Sequence, residues 1–310
     1  MVTARVVAAP GEADLEAAAA AVAERLEPTP LVPAPALGPD VHLNLECQQP
    51  TGSFKVRGAT AALARVPPGE AVVTASAGNH GLAIAWSAAA QGRSATVVVP
   101  DNASAAKLSA LEALPVRLVR HGGSYDEAEQ HALALDGVYV SPYNDTGVIA
   151  GQASLGRELP PAELTVVVPI GGGGLASGVG LWASACGDVR VIGVEADASP
   201  AFGHALRAGE LDPIVAGPTL ADGFGGNVEP GSVTFELVRD HVDAVTAVSE
   251  EQIREAIRFL ARAHGLVAEG AAAVGVAAVL AGVIHADGPT VVVVTGRNIA
   301  LPVLAEVLAG

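Results

Sequence analysis

Short apolar runs alternate with helical segments along most of this chain, and this alternation constrains the fold more than any other feature. We interpret the runs as buried strands, predicted at 71–74, 95–99, 116–119, 138–140, 164–170, 189–194, 244–248 and 290–294. Helices are predicted at 14–26, 81–90, 103–114, 125–135 and after Ser249, which forms a capping-box pair with Gln252. Buried strands separated by helices are typical of parallel βαβ units. The sequence therefore predicts an α/β protein.

The same pattern predicts two lobes. A smaller lobe, residues 70–145, is inserted in a larger lobe built from residues 1–69 and 146–310. The segment between Pro28 and Glu46 is predicted to be irregular. Because parallel sheets bind ligands at the carboxyl ends of their strands, the loops that follow the strands are the candidate binding residues.

The charge balance excludes several classes of partner. The chain has 17 Lys and Arg against 33 Asp and Glu, a formal net charge of -16. Such a surface repels phosphate backbones and anionic lipid, so we expect neither nucleic acid nor a membrane as a partner. The uncharged stretch 270–286 is short and rich in Ala and Gly, which predicts a buried helix rather than a membrane span.

Cys47 and Cys186 are the two cysteines of the chain. They lie far apart in the sequence, and neither has metal-ligand spacing around it, so we expect neither a disulfide framework nor a metal site. Cysteines that form no disulfides are typical of a reducing compartment, and we expect a cytoplasmic protein.

Residues 51–58 (TGSFKVRG) place one lysine, Lys55, between a Gly-Ser turn and an apolar segment. A lysine that loses contact with water has a lowered pKa, and its neutral amine can attack a carbonyl to form a Schiff base. Lys55 is therefore a candidate catalytic residue. The alternative is an ordinary solvated surface lysine.

Residues 76–81 (SAGNHG) lie between a predicted strand and a predicted helix. Free backbone N–H groups at the start of a helix suit a carboxylate or a phosphate, which makes this loop a candidate anion site. The alternative is a plain turn in which Ser76 or Asn79 caps the helix.

Four consecutive glycines, Gly171, Gly172, Gly173 and Gly174, follow the predicted strand 164–170 and open another helix. Bare backbone permits positive φ, so several amides can converge on one phosphate. The alternative is a dinucleotide site with Glu195 near the offset of a ribose partner, although the glycine spacing departs from that motif.

Thr295 begins the sequence TGRN at the end of the predicted strand 290–294. Its hydroxyl is expected to point into the same crevice as the loops 76–81 and 171–174. Alternatively, Thr295 caps the turn.

These motifs, in this order, resemble the pyridoxal-phosphate enzymes of the threonine/serine dehydratase family, which have the tryptophan-synthase fold (type II). The resemblance covers nearly the whole chain, including 141–145 (SPYND), 148–152 (VIAGQ), 221–223 (ADG) and 269–271 (EGA). It implies a two-lobed fold, each lobe a mostly parallel twisted sheet flanked by helices, and pyridoxal 5'-phosphate as the cofactor. It also implies an amino-acid substrate and a homodimer.

The resemblance implies roles for individual residues. Lys55 would hold the cofactor as a Schiff base and act as the base at the substrate Cα. The residues expected around the cofactor are Phe54, Asn79, Gly171 to Gly174, Gly223 and Thr295. Ser76, Asn79 and His80 would bind the substrate carboxylate, largely through backbone amides. Glu269 is expected nearby without an assigned role.

The implied reaction is elimination of water from L-threonine or L-serine, which gives a 2-oxo acid and ammonia. The sequence is also similar to serine racemases, but Ala77 stands where those enzymes carry a serine that transfers a proton. Two alternatives remain: a dehydratase or ammonia-lyase for 3-hydroxyaspartate or a 2,3-diamino acid, and a catalytically silent cofactor-binding protein. Arg297 stands where the family more often has glycine, and its role is open.

Overall fold

The computed structural model describes residues 5–160 and 163–310, which form two β-sheets flanked by helices. The strands are β1 Leu31–Pro33, β2 Val41–Asn44, β3 Val72–Ala75, β4 Ala95–Val99, β5 Arg117–Arg120, β6 Val138–Tyr139, β7 Leu164–Pro169, β8 Val189–Ala196, β9 Ala244–Val248 and β10 Thr290–Val293. The helices are α1 Glu12–Ala23, α2 Lys55–Arg65, α3 Asn79–Ala90, α4 Ala105–Glu112, α5 Tyr125–Leu133, α6 Thr146–Ala153, α7 Gly174–Cys186, α8 Ala201–Ala208, α9 Val233–His241, α10 Glu250–His264, α11 Gly270–Leu280 and α12 Leu301–Ala309.

The two sheets confirm the predicted α/β class. The larger sheet has the strand order β1-β2-β10-β7-β8-β9, and all of its pairings are parallel except β1 with β2. The smaller sheet has the order β5-β4-β3-β6 and is parallel throughout. The lobe boundaries at residues 69/70 and 145/146 stay a prediction.

The predicted strands agree closely with the observed ones, and 95–99 and 244–248 match at both ends. The irregular segment predicted before Glu46 is wrong, because it contains β1 and β2. These strands are short, and the polar residues His42 and Asn44 interrupt the apolar run in β2. Parallel pairing with β10, from Thr290 opposite Val41 to Val293 opposite Asn44, stabilises β2 instead.

The helix predicted at 270–286 ends earlier, at Leu280, and is almost entirely buried. Across residues 5–160 and 163–310, no helix combines the length and apolar content needed to cross a membrane.

The strand order brings three loops together. The neighbouring strands β2, β10 and β7 run parallel, so their carboxyl ends lie at the same edge of the larger sheet. The segments 45–54, 294–298 and 170–174 follow these strands and therefore lie side by side.

Helix α2 packs closely against α6, and this contact fixes the position of the helix that begins at Lys55. A Cβ at Gly151 of α6 would lie 2.6 Å from the carbonyl oxygen of Arg57 and 2.7 Å from the Cα of Gly58. Both glycines allow the two backbones to approach to a distance that a side chain would prevent.

We predict that Gly151→Ala lowers the free energy of unfolding by about 1–3 kcal/mol, because the added methyl group forces α2 and α6 apart. Gly288→Ala is the control, since a Cβ there meets no atom within 4 Å. Urea unfolding of both variants measures the difference. Equal stability of the two variants would contradict the close helix contact.

Candidate active site

Lys55 is the first residue of α2, and the segment before it is bound to the loop after β10. The backbone N–H of Phe54 donates to the carbonyl oxygen of Thr295 at 3.0 Å, and that of Arg297 donates to Gly52 at 2.9 Å. Gly52 has a φ of 74°, which favours glycine. These bonds place Lys55 beside Thr295 at the edge of the larger sheet.

The Lys55 amine lies in a partly buried site. Its Nζ donates to the carbonyl oxygen of Pro142 at 2.7 Å and lies 5.1 Å from the centroid of the Phe54 ring. Burial lowers the pKa of Lys55 to about 8, although the negative charge of Glu269 acts in the opposite direction. The alternative of a solvated surface lysine is therefore wrong. Pro142 was not among the site residues predicted from the sequence, although it lies in the segment 141–145.

Arg57, two residues after Lys55, anchors the first turn of α2 through a buried ion cluster. Its Nε and Nη2 donate to the carboxylate of Glu46 at 2.9 and 2.8 Å. Its Nη1 and Nη2 donate to Glu158 at 2.6 and 2.7 Å. Arg57 and Glu46 are fully buried. Burial disfavours the charge of Arg57, but the two carboxylates outweigh this effect and raise its pKa. Sequence reasoning passed over Arg57, although it lies in the same motif.

Helix α3 begins at Asn79 after the N-cap residue Gly78, and no side chain caps it. The alternative in which Ser76 or Asn79 caps the helix is therefore wrong. The Ser76 hydroxyl accepts a hydrogen bond from the N–H of Gly78 at 3.2 Å. Because no side chain caps the first turn, its backbone N–H groups can bind an anion.

Asn79 connects α3 to the loops of the larger sheet. Its Nδ2 donates to Glu269 Oε1 at 2.7 Å, and its Oδ1 accepts from Asn298 Nδ2 at 2.6 Å. Asn298 Nδ2 also donates to the carbonyl oxygen of Thr51 at 2.9 Å. This chain of bonds links the start of α3 to the segment that precedes Lys55. Sequence reasoning assigned no role to Asn298.

His80 is buried, and its Nε2 lies 3.2 Å from the carbonyl oxygen of Val140. Burial, together with the positive charge of Lys55, lowers the pKa of His80 to about 3, so the ring is neutral. The side chain is therefore directed at Val140, which leaves the backbone N–H as its contribution to an anion site.

Glu269 lies directly before α11, and its backbone N–H donates to Gly296 at 3.1 Å. Burial raises the pKa of its carboxyl to about 7, and the hydrogen bond from Asn79 opposes this shift. A Cβ on Gly296 would overlap the Glu269 carboxyl, so this close approach requires glycine. Glu269 thus lies among the predicted site residues, and its carboxyl can gain or lose a proton near neutral pH.

The tetraglycine loop, Gly171 to Gly174, leads from β7 into α7 and has no room for side chains. Gly173 is the N-cap of α7 and has a φ of 84°. A Cβ on Gly171 would lie 2.8 Å from the carbonyl oxygen of Gly223, so Gly223 borders the loop. A Cβ on Gly172 would overlap the ring of Tyr143, which sequence reasoning missed. The loop therefore offers only backbone to a ligand.

Glu195, the candidate ribose partner, binds the N-terminal end of α8 instead of facing the tetraglycine loop. Its two carboxylate oxygens accept from the N–H groups of Phe202 and Gly203 at 2.6 and 2.8 Å, at the start of α8. Burial raises its pKa to about 7, against the effect of these hydrogen bonds. Within the described residues, no group of three or more His, Cys, Asp or Glu side chains could hold a metal ion.

The predicted site residues therefore lie around one crevice. Backbone bonds join Phe54 and Lys55 to the Thr295 loop, and side-chain bonds join Asn79 to Glu269. Pro142, the acceptor for Lys55, is followed by Tyr143, which packs on the tetraglycine loop. Ser76 lies near these groups because it is three residues before Asn79 in the chain, and not because it contacts them.

Comparison with known proteins gives the class of this crevice. The family described as "Pyridoxal-phosphate dependent enzyme" (PALP) matches residues 22–296. The L-threonine ammonia-lyase of Thermotoga maritima is 41% identical over 283 residues, which cover 87% of this chain and 70% of that protein. The chain therefore belongs to the family of pyridoxal-phosphate dependent enzymes, and pyridoxal 5'-phosphate is its cofactor.

Solved structures confirm the two-lobed type II fold. Maize serine racemase superposes with a TM-score of 0.90 at 27% identity, covering 97% of this chain and 98% of that chain. The processed form of threonine deaminase isoform 2 from Solanum lycopersicum superposes with a TM-score of 0.87 at 26% identity, covering 100% of this chain and 91% of that chain.

The residues of the crevice fit this cofactor. The tetraglycine loop at the start of α7 presents bare amides to a phosphate, and side chains there would obstruct it. The partly desolvated amine of Lys55 is suited to an aldehyde. Thr295 is buried beside it and offers a neutral hydroxyl.

We predict that Arg57→Met lowers the free energy of unfolding by about 3–5 kcal/mol, because it leaves the buried carboxylate of Glu46 without a partner. Arg157→Met is the matched control. It breaks an arginine–glutamate pair with Glu16 that is exposed, so its stability should remain close to that of the original chain. Chemical unfolding compares the two. If both variants lose the same stability, the buried cluster is not the cause.

We predict that Lys55 in the cofactor-free chain reacts with formaldehyde and borohydride with a pH midpoint of about 8, since only the neutral amine reacts. Lys107, the only other lysine, is exposed and serves as the internal reference. Mass spectrometry of the two peptides gives both profiles. Glu269→Gln should move the Lys55 midpoint to lower pH, because the lost negative charge raised its pKa. A Lys55 profile identical to that of Lys107 would contradict desolvation.

Proposed function

We propose that this protein is an ammonia-lyase that eliminates water from L-threonine or L-serine, releasing a 2-oxo acid and ammonia. The observation that carries the proposal is the partly desolvated Lys55 amine in a crevice with two helix N-termini, those of α3 and α7, that no side chain caps. Relatives named for this activity, such as the L-threonine ammonia-lyase of Thermotoga maritima, support it.

We assign the cofactor contacts as follows. The tetraglycine loop would hold the phosphate through backbone N–H groups at the start of α7. Phe54 and Gly223 would border the ring, and Asn79 would donate to its oxygen substituent with the Nδ2 hydrogen that Glu269 does not use. When bound, pyridoxal phosphate supplies the electron sink for the pair left at the substrate Cα.

Thr295 would face the pyridine nitrogen in this assignment. Its hydroxyl is neutral, whereas a carboxylate at that position would stabilise a protonated ring. With the cofactor bound, Thr295 would therefore favour prompt loss of a β-substituent over a long-lived carbanion.

The substrate carboxylate binds at the first turn of α3, where Ser76, Asn79 and His80 contribute mainly backbone N–H groups. The neutral Lys55 amine removes the Cα proton. The β-hydroxyl then leaves and forms one water molecule with a proton equivalent to the one that Lys55 took from Cα. One water molecule hydrolyses the resulting enamine to the 2-oxo acid and ammonia, so the net change is the loss of ammonia from the amino acid. His80 stays neutral throughout, because burial and Lys55 disfavour its positive charge.

Racemisation is disfavoured although maize serine racemase has a similar structure. A racemase needs a proton donor on the face of the substrate opposite to the lysine. Ala77, half-buried in the loop between β3 and α3, carries a methyl group and transfers no proton.

The finer points of organisation belong to the same proposal. We place the lobe boundaries so that residues 70–145 form the small lobe, and 1–69 with 146–310 the large one. A homodimer is supported by exposed apolar side chains on α12, where Leu301 is 76% exposed. Cys47 and Cys186 are free thiols, as suits a cytoplasmic enzyme.

We predict that the purified protein releases 2-oxobutanoate from L-threonine and pyruvate from L-serine, measured by a coupled keto-acid assay. The same assay with 3-hydroxyaspartate and 2,3-diaminopropionate tests the related substrates. Lys55→Ala should abolish release, because it removes the amine that takes the Cα proton. Failure with both L-threonine and L-serine, or full activity of Lys55→Ala, would overturn the proposal.

A further inference from the structure

Arg5 lies where the N-terminal segment crosses the linker 141–145 between the two sheets. Its Nη2 donates to both carboxylate oxygens of Glu229, at 3.0 and 3.1 Å, and to the carbonyl oxygen of Asn144 at 3.3 Å. The same guanidinium lies 5.0 Å from the ring centroid of Tyr139 in β6. Arg5 therefore joins three parts of the chain that are distant in sequence.

The contact between Arg5 and Glu229 is better shielded than a surface ion pair. The two side chains are 22% and 15% exposed. Burial disfavours the charge of Arg5, but Glu229 more than compensates and raises its pKa. The Thr146 hydroxyl also donates to the carbonyl oxygen of Ala8 at 2.7 Å, which keeps the N-terminal segment along the linker. A shielded ion pair with two hydrogen bonds restrains both partners.

Glu229 and Tyr143 together connect Arg5 with the tetraglycine loop. The backbone N–H of Glu229 donates to the Tyr143 hydroxyl at 3.0 Å. The Tyr143 ring packs on Gly172, and a Cβ on Gly174 would lie 3.0 Å from the Tyr143 Cα. The position of Glu229 therefore affects the position of the Tyr143 side chain, which covers the tetraglycine loop.

Asn144 provides a second route to the same loop. Its carbonyl oxygen accepts from Arg5, and its Oδ1 accepts from the N–H of Val233 at 3.1 Å. The next residue, Thr234, donates its hydroxyl to the carbonyl oxygen of Gly172 at 2.9 Å. Both routes from Arg5 end on the backbone of the tetraglycine loop.

We propose that Arg5 is a positioning residue, which fixes the tetraglycine loop in the conformation that binds the cofactor phosphate. This inference rests on the role proposed above for that loop. Arg5 contacts neither Lys55 nor the first turn of α3, so it acts on retention of the cofactor rather than on the proton transfer. Loss of Arg5 then weakens cofactor binding while the chemistry at saturating cofactor stays intact.

The test compares the holoenzyme with Arg5→Gln and Glu229→Gln by equilibrium dialysis, followed through the visible absorbance of the bound cofactor. Each single variant should raise the dissociation constant of the cofactor about tenfold. The double variant should bind no more weakly than Arg5→Gln alone, because Arg5→Gln already removes the ion pair with Glu229. Tyr143→Phe, which deletes the hydroxyl between Glu229 and the loop, should give a loss in the same direction. For Arg5→Gln and Glu229→Gln, kcat for L-threonine at saturating cofactor should remain within about twofold of the original value.

Arg157→Gln is the matched control, because Arg157 also makes two hydrogen bonds to the carboxylate of one glutamate, Glu16, but at an exposed position away from the linker. Its cofactor affinity should not change. Thermal unfolding of each variant without cofactor separates a general loss of stability from a specific one. Unchanged affinity in Arg5→Gln, an equal loss in Arg157→Gln, or additive losses in the double variant would overturn the proposal. A holoenzyme that binds cofactor but releases no keto acid would instead overturn the proposed function, and the dialysis would still decide the role of Arg5.

Discussion

Removal of water from the Lys55 amine is the physical event on which the rest of the site depends. It results from backbone bonds between two loops, 52–54 and 295–297, that follow neighbouring strands of the larger sheet. These bonds set the start of α2 against the Thr295 loop and direct the amine at the Pro142 carbonyl oxygen. The amine is left with a pKa of about 8, close enough to neutrality to act as a nucleophile and a base.

The surrounding groups keep the Lys55 amine able to act as a nucleophile and a base. The Glu269 carboxyl, with a pKa of about 7, limits the depression of the Lys55 pKa. His80 remains neutral and adds no positive charge beside Lys55. Behind the amine, the Arg57 cluster fixes the helix to Glu46 and Glu158. The reactive amine therefore extends from a backbone that is held at several points.

The apolar runs predicted the parallel sheets because strands buried on both faces need apolar residues at nearly every position, as in β4 (ATVVV). The loops rich in glycine were predictable for a similar local reason, since glycine alone permits the backbone of Gly173 and the close approach at Gly296. The strands β1 and β2 were not predictable in this way, because β2 is stabilised by pairing with β10 rather than by its own residues. Contacts between distant segments, such as Lys55 with Pro142 and Arg57 with Glu158, also leave no local pattern.

The chain has two lysines, and this permits a direct test of whether Lys55 holds the cofactor. Borohydride treatment of the purified holoenzyme fixes the cofactor to the amine that holds it, and peptide mass mapping then locates the modification. We expect a stoichiometric modification on the peptide that contains Lys55 and none on the peptide that contains Lys107. Cofactor on Lys107, or on neither lysine, would contradict the role of Lys55.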